Sequence, residues 1–217
     1  LDPSTFVSNP QSESQNPTKT FSKEGNEVHQ VPGLFLIKDF ITPAEETLLF
    51  SEGNKLNWYK FGARYRTLLG WMHDRDDSGK MRRLGDLPDS LKFVTDRIME
   101  NKIMDNSPEQ YVINSYEPGQ GINAHIDRVE DYGKQVVGLS LGSDTVMEFT
   151  GPRGEKVELL VPRRSLYLME KDARYKWKHA MPGRKKDKLE NGTMNVRRKR
   201  ISLTLRDVIV GFRKKDI

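Results

Sequence analysis

Beyond residue 110 the chain becomes a succession of short runs in which apolar and polar residues alternate, and this period of two constrains the fold more than any other feature. In 200–206, RISLTLR, Ile201, Leu203 and Leu205 alternate with Arg200, Ser202, Thr204 and Arg206. Val137, Leu139 and Leu141 alternate with Val136, Gly138 and Ser140; Val157, Leu159 and Val161 repeat the pattern, as do Leu166 and Leu168. Side chains on a strand point to opposite faces in turn, so each run offers one apolar face to a core. Gly142-Ser143, Gly151-Pro152-Arg153-Gly154 and Pro182-Gly183 supply the turns between them. Short strands so spaced predict a sandwich or barrel rather than a parallel sheet. A double-sheet jelly roll with helices on one outer face fits, a mostly β fold with flanking helices.

The first half reads differently. Residues 1–28 are rich in Ser, Asn, Pro, Thr, Gln and Lys and poor in apolar groups, which predicts a disordered tail before a single domain over 29–217. PGLFLIKDF, 32–40, reads as a strand. Thr42 as N-cap, Pro43 at the first position and Glu45 closing a capping box predict a helix running to about Gly53. Leu87, Leu91, Val94 and Ile98 recur every three or four residues and predict an amphipathic helix over 88–101. Between these helices, 57–83 shows poor periodicity. Trp58, Tyr59, Phe61, Tyr65 and Trp71 are interleaved there with Lys60, Arg64, Arg66, Arg75, Lys80, Arg82 and Arg83. Aromatic rings that stack on bases beside cations that meet phosphates suit nucleic acid. Burial of about half of these aromatics is the competing expectation.

The chain has no cysteine, which excludes disulfides, thiolate metal sites and cysteine nucleophiles and fits a reducing compartment, cytoplasmic or nuclear. No apolar run reaches membrane-spanning length and no secretory signal opens the chain. A net charge of +5 is a mild invitation to polyanions. It is concentrated in 184–200, eight Lys/Arg against Asp187 and Glu190, which include Lys185, Lys186 and Lys188. That run reads as a phosphate-contacting loop, a nuclear localisation signal or a solvated surface. The chain begins at Leu1 and not Met, so its native start is expected to be missing.

Three pairs of polar residues carry the chemistry. His125 and Asp127, two apart in a strand-like stretch, project to one side, and His179 lies in a second strand-like run, 175–179. Two imidazoles and one carboxylate on one face of a metal, with other positions open, form the facial triad of non-haem Fe(II) oxygenases. Arg200 and Arg206 share the polar face of their strand, about 20 Å apart at full extension, and could bracket a small dianion. Asn114 and Tyr116 form a third pair with the same spacing. His29 and His73 lie away from any matching carboxylate and read as ordinary loop residues.

INSYEPGQGINAHID, then LSLGS at 139–143, PRRSL at 162–166, RYKWKH at 174–179 and the paired arginines at 200 and 206 resemble the AlkB family of Fe(II)/2-oxoglutarate dioxygenases over about 30–210. Within it they are most similar to the branch that hydroxylates modified wobble uridines in tRNA. The resemblance implies the jelly roll and Fe(II) held by His125, Asp127 and His179. It implies 2-oxoglutarate whose distal carboxylate meets Arg200 and Tyr116, with Asn114 and Arg206 at the metal-proximal end and O2 as cosubstrate. It also makes 57–83 a nucleotide-recognition lid, with Trp58, Arg64, Tyr65 and Arg66, beside Lys185, Lys186 and Lys188, as the nucleic-acid contacts. RNA or tRNA is the expected partner of a monomeric enzyme. The alternatives are a demethylase repairing alkylated DNA or RNA and an oxygenase acting on protein. A cysteine zinc site found in that branch has no counterpart here, and Val129 follows Asp127-Arg128, so no structural zinc is expected. The RNA-recognition and methyltransferase modules of that branch are likewise not in these 217 residues, which makes the chain free-standing or a fragment.

Overall fold

A computed structural model describes residues 20–73 and 81–209. Most of the expected tail lies outside them, as do Asp74, Arg75, Asp76, Asp77 and Lys80. The end of that tail is packed: Phe21 is buried, its ring 4.7 Å from that of Phe40.

The large sheet runs, edge to edge, β1 (Leu34–Ile37), β10 (Leu166–Met169), β7 (Tyr132–Leu141), β14 (Arg200–Val208), β5 (Gln110–Tyr116), β3 (Arg64–His73) and β2 (Tyr59–Phe61), with β4 (Met81–Arg83) paired to β3. The small sheet runs β6 (Ile122–His125), β11 (Lys178–Met181), β8 (Thr145–Thr150) and β9 (Lys156–Val161). Neighbouring strands pair antiparallel in both, so the expected double-sheet architecture is what the chain adopts.

Alternation along β14 explains the layering. Ile201, Leu203 and Leu205 join Val137, Leu139 and Leu141 of β7 and Leu166 and Leu168 of β10 in one core. That core is capped by α1 (Pro43–Gly53) through Leu49 and by α2 (Asp89–Glu100) through Leu91, Val94 and Ile98. The Thr42 capping box is present as expected, with Pro43 in the first turn. Arg97 of α2 reaches Glu45 of α1 at 2.5 Å and the Phe40 carbonyl at 2.9 Å, tying the two helices together. The opposite face of the large sheet meets the small one. There Leu36, Val136, Tyr167 and Met169 pack with Met147 and Phe149 of β8.

Three segments differ from expectation. The described part of 57–83 holds three strands, β2, β3 and β4, despite its poor periodicity. The run at 175–179 is split: α3 (Lys171–Tyr175) is a helical turn, and the strand begins only at Lys178. The basic run forms a hairpin of β12 (Lys186–Lys188) and β13 (Met194–Val196). It is fastened by a buried pair: Arg197 donates to Asp187 at 2.5 and 2.7 Å, and to the Pro182 carbonyl at 2.6 Å. Lys185, Lys186 and Lys188 stay exposed.

Candidate active site

Between the sheets opens a cavity of about 450 Å³. The polar face of β14 lines it through Arg200, Ser202, Thr204 and Arg206, and β5 adds Gln110, Asn114 and Tyr116. Each residue is there because its apolar neighbours on the same strand are claimed by the opposite core.

His125 and His179 are direct partners across the β6–β11 ladder, and their ring centroids lie 4.3 Å apart. Asp127 sits just beyond the end of β6, yet its Oδ1 comes within 3.8 Å of His125 Nε2. One ligand-type atom from each of the three lies within 4.8 Å of the others. His125 Nδ1 lies 2.8 Å from the Asn123 carbonyl, an acceptor that places a proton on Nδ1 and makes Nε2 the nitrogen left to face a metal. Burial raises the Asp127 carboxyl, but the charges of Arg206, His179, His125 and Arg174 outweigh it and hold its pKa at about 2. Burial lowers His179 to about 4, so at neutral pH its imidazole is uncharged. Asp127 and His179 are therefore already in the protonation states that a metal needs.

The residues fit a divalent ion. Asp127 Oδ1 accepts from Arg206 at 2.5 Å, while Oδ2 is buried with no hydrogen-bond partner, an orphaned acceptor that a cation would satisfy. Two imidazole nitrogens and a carboxylate also match a first-row transition metal.

Arg200 is buried beside Ser140 and Tyr116. Its Nε donates to Ser140 Oγ at 3.0 Å, its guanidinium lies 5.6 Å from the Tyr116 ring centre, and no carboxylate pairs with it among the described residues. Arg206 is held by Gln110 at 2.7 Å as well as by Asp127. Tyr167 borders the cavity with a phenol that burial pushes up to about 12, so it stays a donor. Gly138 makes room for that ring: a Cβ there would lie 2.1 Å from it.

Of the nucleic-acid candidates, Arg66 lines the cavity and buried Arg64 lies beside it. Both guanidiniums donate through Nε to Asn114 Oδ1, at 2.9 Å from Arg64 and 3.2 Å from Arg66. Tyr65, between them on β3, faces the other way and is exposed. Trp58 is half-buried and packed against the helix-capped core, its Nε1 donating to the Gly53 carbonyl at 2.8 Å, and it does not border the cavity. Lys185, Lys186 and Lys188 do not border the cavity.

Sequence reasoning missed Arg174. It lay inside the quoted RYKWKH, but nothing in its neighbours marks a charge that is 2% exposed. Its fork donates to four main-chain carbonyls, of Asp127, Arg128, Tyr132 and Gly133, and so fixes the loop that carries Asp127.

Residues 33–206 match the family model of the 2OG-Fe(II) oxygenase superfamily, and the chain belongs to that superfamily, as a dioxygenase using Fe(II) and 2-oxoglutarate. Its relatives place it among the AlkB proteins. It is 37% identical over 190 residues to Uncharacterized protein L905 of Acanthamoeba polyphaga mimivirus, covering 85% of this chain and 89% of that one. It is 30% identical over 169 residues to the tRNA (carboxymethyluridine(34)-5-O)-methyltransferase alkbh8 of Xenopus tropicalis, covering 73% of this chain and 26% of that protein. The chain thus spans about a quarter of the length of that relative. The solved structure of OsALKBH1 shares the fold at a TM-score of 0.63 and 17% identity, covering 81% of this chain and 97% of that one. No helix among the described residues is long and apolar enough to cross a membrane.

Proposed function

We propose that this chain oxidises a modified nucleoside in RNA, with tRNA as the substrate class. His125, Asp127 and His179 would hold Fe(II), and Arg200, Tyr116, Asn114 and Arg206 would hold 2-oxoglutarate. The observation that carries the chemistry is the convergence of two imidazoles and an ionised carboxylate with an unpartnered oxygen on a cavity that also holds a buried, carboxylate-free arginine. Once bound, Fe(II) and 2-oxoglutarate supply oxidation of a C–H bond by O2, with release of succinate and carbon dioxide.

The chain's own residues do the positioning. Asn123 sets the His125 tautomer, Arg206 holds one Asp127 oxygen, and Arg174 holds the loop behind it. Ser140 fixes Arg200 through Nε, and its terminal nitrogens, one of which meets Met181 Sδ at 3.6 Å, would take a planar carboxylate. Met147, Met169 and Met181, with Ile122 and Ile126, wall the cavity with apolar surface that keeps bulk water from the reacting carbon.

The RNA reading is supported by the name of the amphibian relative, by Arg66 at the cavity with Arg64 beside it and by the exposed lysines of the β12–β13 hairpin. The test is mass spectrometry of tRNA nucleosides after incubation with Fe(II), 2-oxoglutarate and O2. A nucleoside gaining one oxygen, absent with His125→Ala, is the expected result. Formaldehyde released from methylated bases would assign a demethylase instead. Unchanged RNA together with an oxidised protein would assign a protein substrate.

A further inference from the structure

We infer that Arg64 and Arg66 form a receptor for an anionic group of the substrate, so that the part of the nucleotide entering beside Asn114 carries a negative charge. The inference rests on the RNA reading above and narrows its substrate.

Asn114 shows how the pair is arranged. Arginine has only donors, so an amide flanked by two guanidiniums must turn its oxygen toward them. Both Nε groups are spent on that oxygen. No hydrogen bond from the terminal nitrogens of either guanidinium is found among the described residues. Phe61 supports the pair, with the Arg66 guanidinium 3.9 Å and the Arg64 guanidinium 5.2 Å from its ring centre. No carboxylate pairs with either guanidinium among the described residues, although Arg64 is 8% exposed.

Buried cations in folded proteins are ordinarily paired. Elsewhere in this molecule the buried arginines have acceptors: Arg197 pairs with Asp187, and the Arg174 fork is filled by four main-chain carbonyls. Charge balance within the cavity sharpens the contrast. A dianionic cosubstrate is offset by a divalent metal, and Asp127 offsets Arg206. Arg200 is suited to the far carboxylate of the cosubstrate. Arg64 and Arg66 are the cations left over, side by side on one strand face and stacked on a ring. Burial lowers the Arg66 pKa and the neighbouring Arg64 charge lowers it further, an effect that an anion joining the two guanidiniums would offset. A carboxylate on the modified base and a phosphate of the target nucleotide offer the same planar or tripodal oxygens to such a fork.

The test uses the full chain with Fe(II) and 2-oxoglutarate under anaerobic conditions, and three versions of one short anticodon-loop RNA. The first carries 5-carboxymethyluridine at one position. The second carries its uncharged methyl ester. The third keeps the carboxylate but replaces the flanking phosphate by a methylphosphonate. One of the two neutralisations is expected to weaken binding about tenfold or more, as loss of a charge-assisted hydrogen bond does. A loss with the ester assigns the base carboxylate, and a loss with the methylphosphonate assigns the backbone. In Arg66→Gln and Arg64→Gln that penalty is expected to shrink to about twofold. Binding that ignores both neutralisations in the wild-type chain overturns this inference alone, and needs no variant to fold. A penalty that persists undiminished in both variants also overturns it. No binding of any of the three RNAs overturns the RNA reading and this inference together.

Discussion

Arg174 gives an N–H to the main-chain carbonyl of Asp127, 2.8 Å away, from a position that is 2% exposed. A carboxylate ligand is only as well placed as its backbone, and here a buried cation from α3 holds that backbone directly. The same fork holds Arg128, Tyr132 and Gly133 carbonyls, so the loop has one anchor for several groups.

Arg174→Lys keeps the charge but replaces a planar fork by one ammonium on a flexible stem, which cannot serve four carbonyls at once. Fe(II) affinity is expected to fall by about 10–100-fold, the range for groups that orient metal ligands. An anaerobic Fe(II) titration checks this. Lower thermal stability with unchanged Fe(II) affinity would make Arg174 a structural anchor only.

Metal-free protein should lose stability as the pH drops from neutral. His179 titrates at about 4 in the fold against 6.5 ordinarily, so between those values the unfolded chain binds a proton that the folded one refuses. Stability present above pH 6.5 is therefore lost as pH falls through 4, by about 3 kcal/mol for this group. Asp127, held at about 2 against 3.8, extends the loss at lower pH in the same direction. Urea midpoints of the chelated protein at pH 7 and pH 4.5 measure it, and His179→Gln should flatten the dependence. A midpoint that does not change between the two pH values would show that the imidazole is not buried uncharged.

The β12–β13 hairpin depends on one ion pair. Asp187 is fully buried, and Asp187→Ala leaves Arg197 as an uncompensated buried charge. Loss of about 3–5 kcal/mol in urea unfolding is expected. The exposed neighbours set the contrast, since Lys186→Ala and Lys188→Ala should each stay within about 0.5 kcal/mol. Equal effects of all three would mean that the pair contributes nothing.

These residues also show what was legible. The Thr42 capping box and the β14 alternation were readable because propensity, capping and burial agree there. Both histidines and Asp127 could be picked out by residue type and resemblance, although Asp127 lies past the end of its strand. The strands of 57–83 were not readable, for a reason that the site explains. Arg64 and Arg66 occupy inward positions of β3 where a core strand would place apolar residues, so the expected alternation is broken. The β12–β13 hairpin is hidden similarly, because its inward residue is Asp187 and its partner is a cation beyond β13. Arg174 carries no local pattern at all: its four acceptors are backbone groups more than 40 residues away in sequence.

Arg200 offers the sharpest test of the cosubstrate site. It is buried, stacked near Tyr116, fixed through Nε by Ser140 and without a carboxylate partner among the described residues. Burial pulls its pKa below the ordinary guanidinium value, yet a guanidinium has ample margin to remain charged at neutral pH. A lysine placed there would not: its ammonium starts lower, and the same burial favours the neutral amine. Arg200→Lys therefore loses the two-pronged geometry and part of the charge together. The apparent affinity for 2-oxoglutarate should fall at least tenfold, from loss of about 1.5–3 kcal/mol for a hydrogen bond to a charged group. Fe(II) binding should be retained, because Arg200 touches none of the three metal-ligand candidates. Ser140→Ala should give a smaller loss of the same kind, by freeing Nε. Succinate formation measured against 2-oxoglutarate concentration, beside an anaerobic Fe(II) titration, separates the two sites. An unchanged apparent affinity in Arg200→Lys would remove Arg200 from the cosubstrate site, and equal losses in both titrations would mean that the substitution disturbs the whole cavity.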